Sequence, residues 1–188
     1  MPVISRNLRM WMLVAGLAVF AWLTHGAYRA LSQQKEEQSS AAAHPLAKGG
    51  KILEDFSLEA LQGKPTNLNS LRGKVVLINF WAGWCAPCIH EMPGLYELQK
   101  RFQAKGFEVL AVNMDDNPED GIKVLRRQVG EPPFPIYKGN NSDLADRFRL
   151  EGLPFTVIVD RGMEIRYAEA GDADWKSAEA IGMIEGLL

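Results

Sequence analysis

Cysteine is nearly absent from this chain of 188 residues: it occurs only as Cys85 and Cys88. Two thiols cannot build the multi-bridge scaffold of a small secreted domain. Histidine is also scarce, limited to His25, His44 and His90. The four-ligand set of a structural zinc site therefore has no second ligand pair to draw on. Charge of one sign is lacking too. Lysine and arginine number 21 against 23 acidic residues, for a formal charge of −2, which argues against a nucleic-acid or polyanion partner. No internal repeat is present. What the chain does have is apolar content of 47 %, enough for a sizeable core.

One segment is apolar without a polar face. Met10 to Leu23 is uninterrupted, and extending it to Tyr28 gives 19 residues, about 28 Å of helix. That approaches the ~30 Å of a bilayer's hydrocarbon core, with Trp11, Trp22 and Tyr28 near the ends where amphipathic rings favour the interface. A cleaved signal peptide is the rival reading, with Ala30-Leu31-Ser32 as a rather distant cleavage site. The anchor is the reading adopted: residues 1–31 as one transmembrane helix, 32–50 as a polar, flexible linker, and 51–188 as a globular domain. Arg6 and Arg9 are balanced by Arg29 and Lys35, so the positive-inside bias is slight. The layout is that of an exported protein. It predicts a single-pass protein of the inner membrane with its domain in the periplasm, or otherwise outside the cytoplasm.

Within the globular part, Asp55–Ala60 alternates as a half-buried strand, and Thr66-Asn67-Leu68 begins its return across the Gln62–Pro65 turn. Val75–Phe80 and Phe107–Met114 read as buried strands. A helix is predicted from the cysteines to about Lys105, with Pro93 inside it, and others from Glu119 to Val129, Ser142 to Phe148 and Asp172 to Leu188. Ile136-Tyr137 is a short strand, and Phe155–Asp160 with Glu164–Glu169 forms a hairpin. The order implies an α/β domain with a central mixed sheet flanked by helices.

Trp84-Cys85-Ala86-Pro87-Cys88 follows the first buried strand directly. A cysteine at the start of a helix is next to free backbone N–H groups and the positive end of the helix dipole, and both favour thiolate. Cys85 is thus expected to attack a partner disulfide, and Cys88, one turn on and more buried, to release it. Pro87 suits the first helical turn and stiffens it, while exposed Trp84 would offer a platform for a peptide. A static disulfide, or a CxxC supplying two metal ligands, is the plainer alternative. His90, two positions past Cys88, lies on a different helix face and is read as solvated.

These residues carry a resemblance. Phe80–Cys88, with Pro93 eight positions after Cys85, resembles the thioredoxin signature, and Gly152-Leu153-Pro154-Phe155-Thr156 is similar to the loop that bears that family's cis-proline. The N-terminal apolar run, the added hairpin, Glu91-Met92-Pro93 and an insert from about Pro118 to Phe148 resemble the TlpA/ResA-like branch of membrane-anchored thiol–disulfide oxidoreductases. The resemblance covers about 51–188. It implies a thioredoxin-like fold with an added N-terminal β-hairpin and a central insert. It also implies a catalytic Cys85/Cys88 pair needing no cofactor beyond its own disulfide, and no metal. Pro154 is expected in cis, the Leu153 backbone pairs with the substrate, and Gly152 and Gly171 wall the peptide groove together with Trp84 and Pro87. The implied reaction is reduction of disulfides in exported proteins, for cytochrome c maturation or copper-site assembly, with electrons from a membrane thiol protein.

The chain also departs from the family. Thioredoxins bury an aspartate six positions before the first cysteine, where this chain has Asn79, and the lysine paired with it falls at Ala111. With both gone, the expectation is that no lone buried charge remains. Some relatives place a glutamate between the cysteines; here it is Ala86. Glu91 is then the available base for Cys88, with a surface or peripheral salt bridge as its plainer reading. Two other functions stay open: a copper metallochaperone-type module, which needs a distal histidine that the sequence lacks after His90, and a thiol peroxidase, which needs a threonine or serine where Ala82 stands.

Overall fold

Val75–Trp81 (β4) reads Val-Val-Leu-Ile-Asn-Phe-Trp, and all seven residues are buried. A strand without alternation is one covered on both faces. The computed structural model, which describes residues 25–26, 50–139 and 142–188, places β4 inside a six-stranded sheet of the unit His44–Leu188. On one side it runs parallel to Phe107–Asn113 (β5), pairing Val75 with Phe107 and Trp81 with Asn113. On the other it is antiparallel to Phe155–Val159 (β7), pairing Phe80 with Phe155. Ile136–Lys138 (β6) lies parallel beyond β5, and Ile165–Ala170 (β8) lies antiparallel beyond β7. The far edge beside β6 is Ala60–Gln62 (β2), also antiparallel. Ser57–Leu58 (β1) and Thr66–Asn67 (β3) pair as a separate two-stranded sheet.

Alternate residues of β4 feed two cores. Val75, Leu77 and Trp81 join the cluster that holds Cys85, Cys88, Met92, Leu95 and Phe102; Val76, Ile78 and Phe80 join the other. The first face is covered by Ala86–Phe102 (α1), Pro118–Gln128 (α2) and Ala178–Leu187 (α4), whose Ile122, Leu125 and Ile184 pack there. The second face is covered by Ser142–Phe148 (α3). Its Phe148 stacks against Phe80 at 4.8 Å between ring centres and against Phe56 at 5.6 Å. α1 continues through Pro93 and ends in a 3-10 turn, Gln103–Lys105, closed by Gly106 at φ 87°, the left-handed conformation that glycine takes without steric cost.

Two expectations change, and one falls outside the described residues. The predicted first hairpin divides: β1 keeps the pairing with β3, while β2 leaves it and extends the main sheet, because Ala60 and Gln62 find the unpaired edge of β6. The last helix begins at Ala178 rather than Asp172. Ser177 accepts the Ala180 amide as an N-cap, and Asp174 turns the chain before it by accepting the amides of Lys176 and Ser177. Finally, the anchor (1–31) and nearly all of the linker (32–50) lie outside the described residues. Among those described, no helix is long and apolar enough to cross a membrane.

Phe148 is completely buried between two rings, so Phe148→Ala should cost about 3–5 kcal/mol. Urea unfolding of the two proteins checks this; a loss below about 1 kcal/mol would show that α3 is not part of the cooperative core.

Candidate functional site

β4 ends at Trp81, and a short loop carries the chain to the first turn of α1. Cys85 occupies the N-cap, and its Sγ accepts the Cys88 amide at 3.3 Å, as a capping oxygen would. The two sulfurs are joined, at 2.03 Å. Cys85 retains 5 % exposure and Cys88 none, so the earlier cysteine is the one nearer solvent. Pro87 sits in the first helical turn, where its missing N–H leaves nothing unsatisfied. Trp84 is 73 % exposed beside them. A large aromatic ring left in water next to a reactive sulfur is the kind of apolar surface that marks a contact site.

The sheet register brings the other predicted walls to the same end. Phe80 pairs with Phe155, and Phe155 pairs with Ala170, so Pro154 and Gly171 lie level with the exit of β4. The Leu153–Pro154 peptide is cis, as expected. The Gly171 amide donates to the Pro154 carbonyl at 2.8 Å, and Gly171 has φ 106°. Gly152 is exposed, with open space where a Cβ would point, and Leu153 packs against both cores.

Glu91 does not make a surface salt bridge. It is 4 % exposed, and its partners among the described residues are three uncharged donors. Its Oε1 accepts the Asn79 Nδ2 at 2.7 Å; its Oε2 accepts the Ala173 amide and the Trp175 Nε1, each at 3.1 Å. Asn79 donates also to Thr156 Oγ1 at 3.0 Å, and its own Oδ1 has no partner. The expectation that no lone buried charge remains is therefore corrected. The charged pair at 79 and 111 is gone, but an acid has entered the same space from the helix. Burial pushes the Glu91 carboxyl above the usual carboxylate range, against the pull of its three donors. His90, as expected, is exposed; its Nδ1 is 3.8 Å from Asp172 Oδ2.

One contributor escaped the sequence reading. Asp115, buried just past β5, accepts the Gly83 amide at 2.8 Å and Asn113 Nδ2 at 2.7 Å. It ties the loop before Cys85 to the end of the neighbouring strand. Gly121 on α2 makes this possible: a Cβ there would collide with the Asp115 carboxylate, and a Cβ on Gly83 would collide with the Gly121 backbone. Asn113 and Asp115, spaced by two at a strand end, share a face, and that spacing was the available signal. Among the described residues, no group of three or more histidine, cysteine or acidic side chains could hold a metal ion.

The sequence matches the AhpC/TSA family over residues 50–168. It is 33 % identical over 117 residues to the thiol-disulfide oxidoreductase ResA of Geobacillus thermodenitrificans, a match covering 62 % of this chain and 66 % of that protein. It is 36 % identical over 135 residues to the thioredoxin-like protein YneN of Bacillus subtilis, covering 69 % and 76 % respectively. The crystal structure of a proposed thiol:disulfide interchange protein DsbE from Chlorobium tepidum superposes with a TM-score of 0.67 at 27 % identity, over 74 % of this chain and 97 % of that one.

Two outcomes follow from this geometry. Gly121→Ala should destabilise the protein by about 1–3 kcal/mol through overpacking against Asp115 and Gly83. Gly152→Ala, with open space at its Cβ, should be nearly neutral. Denaturant midpoints test the pair, and equal losses at both positions would refute the close packing around Asp115. Glu91 sets a pH trend. The folded protein binds its proton more tightly than the unfolded chain does. Stability is thus greatest below the ordinary carboxylate range and is lost as pH rises through the elevated native titration. Glu91→Gln should flatten that slope, and thermal melts across a pH series would show whether it does.

Proposed function

We propose, for a chain that belongs to the AhpC/TSA family and is a thiol–disulfide oxidoreductase of the thioredoxin type, that Cys85 is the attacking sulfur and Cys88 the resolving one. The observation that carries this is the N-cap position of Cys85 over a fully buried Cys88. In the dithiol form, the Cys85 thiolate attacks a partner disulfide, forms a mixed disulfide and expels one partner thiolate. Cys88 then loses its proton and attacks Cys85 Sγ, releasing the second partner thiol. The partner gains two electrons and two protons, and the enzyme is left with the Cys85–Cys88 disulfide present in this structure. A thiol donor must return both electrons and both protons before the next cycle.

Glu91 is the proposed acceptor of the Cys88 proton. It lies three positions after Cys88 on α1, with its face shared by helical periodicity, and burial raises its proton affinity, as a proton acceptor requires. Trp84, Pro87, Gly152, Leu153 and Gly171 are the proposed substrate contacts around Pro154. The cis loop and the exposed indole support a strand-like peptide there.

The proposed setting is outside the cytoplasm, with residues 1–31 as membrane anchor, 32–50 as tether and 51–188 as the catalytic domain. The apolar run Met10–Leu23 and the resemblance to membrane-anchored thioredoxins support that reading. Disulfides of exported proteins are the substrate class, those of haem-attachment or copper-site proteins foremost, and an integral membrane thiol protein is the electron source.

In the native host, the full-length Cys88→Ala variant should accumulate exported proteins disulfide-linked to Cys85, which dithiothreitol releases and which Cys85→Ala/Cys88→Ala does not capture. Absence of such adducts, or equal alkylation of Cys85 and Cys88 in the reduced wild type across a pH series, would contradict the assignment.

A further inference from the structure

Residues 172–177 lead from Gly171 at the end of β8 to α4, and they are docked on α1 at three points. Gly94 leaves room for them: a Cβ there would come within 2.8 Å of Trp175 Cβ. Lys176 Nζ reaches Glu97 Oε1 at 2.7 Å. The third point is Glu91, which receives both the Ala173 amide and the Trp175 indole on the same oxygen. Trp175 is 2 % exposed and packs edge-on against Tyr167 of β8, with ring centres 6.1 Å apart. Apolar burial alone would not require the indole N–H to point at a carboxylate. A buried indole needs an acceptor, and here it has found the buried carboxylate of Glu91, three positions after Cys88 on α1.

We propose that Trp175 is a positioning residue for the redox reaction: its indole N–H, seated by Gly94, donates to Glu91 Oε2 and favours the ionised, proton-accepting form of that carboxylate. This deepens the reading of Glu91 as the base for Cys88 and rests on it. All three partners of the carboxylate are donors and therefore favour its charged form. Removing one leaves burial less opposed, so a larger fraction of the enzyme carries a protonated, idle Glu91 at a given pH. The other titratable groups around this carboxylate are His90 on α1, Asp172, Asp174 and Lys176 on the docked segment, and Tyr167 on β8. Asp172 opposes ionisation of Glu91 by its like charge. Asn79 and Thr156, from β4 and β7, carry no charge.

The test is the initial rate at which the prereduced protein, freed of dithiothreitol, reduces an aromatic disulfide (5,5′-dithiobis-2-nitrobenzoate), from about pH 5 to 9. Wild type, Trp175→Phe and Glu91→Gln are compared. Trp175→Phe keeps the ring and deletes the donor. Its acid limb should move to higher pH, giving a rate roughly fivefold lower at the wild-type half-maximum and an unchanged alkaline plateau. Alkylation of Cys85 should not change. Uniform loss at every pH would mean that Trp175 only supports the fold, and superposition on the wild-type limb would mean that it does not act on Glu91; either overturns the inference. Ionisation of Cys85 leaves an acid limb of its own in every variant, so it is a limb that stays at the wild-type position in Glu91→Gln that would instead overturn the underlying reading of Glu91. A measurement without substitution stands beside these. In the wild-type protein the Trp175 indole N–H resonance should titrate with the midpoint of the activity limb, and an indole signal that stays flat across that limb contradicts the proposal even if Trp175→Phe fails to fold.

Discussion

A carboxylic acid placed in a protein interior must be neutral or must be held by donors, because the ionised form loses its hydration there. Glu91 is held by three donors from two distant parts of the chain: Asn79 on β4, and the Ala173 backbone with the Trp175 ring in the segment before α4. Much of the site's construction follows from satisfying that one group. The chain must turn rather than form helix after Gly171, so that an amide and an indole can meet the acid. Gly94 must lack a side chain so that the turn can come close enough. Asn79 must be neutral, because a second carboxylate 2.7 Å away would force one of the two to take up a proton.

The sheet supplies the frame. β4 is central and all-buried, so its end is a fixed point, and the register on both sides sends Asn113, Pro154 and Gly171 to that same end. Asp115 then ties the intervening loop to β5 through Gly83. The loop to Cys85, the cis Leu153–Pro154 peptide and the Asp115 clamp are therefore set by strand pairing, and the helices close over them. Trp84 is the conspicuous exception: its ring is left outside the packing of the described residues.

Features encoded locally were readable in the sequence. The CxxC follows an unalternating apolar run, Gly106 stops a helix, and Gly152-Leu153-Pro154 carried its cis peptide through family resemblance. Features that depend on contacts between remote segments were not. Trp175 lies 84 positions from Glu91, and Ala173 lies 82; nothing in the spacing of Asp172–Leu188 showed that its first turn would be used for hydrogen bonds to α1 instead of for helix. β2 illustrates the same limit, since its partner β6 is a three-residue strand in the insert, more than seventy positions away. Asp115 was overlooked because an aspartate between a strand and Asn117-Pro118 looks like turn chemistry, and its real partner is an amide 32 positions earlier.

The relocation of the acid also changes what it can do. At position 79 a carboxylate would be fixed to the central strand, the most constrained backbone in the domain. On α1 it belongs to the same helix as Cys88, less than one turn further along. Any adjustment of the first turns of α1 carries the acid and the buried sulfur together. Asn79 can follow by rotating its amide: with Nδ2 forward it donates to the carboxylate, as observed, and with the now unpartnered Oδ1 forward it would accept from the protonated acid. An asparagine therefore serves both protonation states of Glu91 where an aspartate could serve only one. That is a physical reason for the acid and the amide to occupy these two positions together, and for Ala111 to stand where a lysine would have only an amide to pair with.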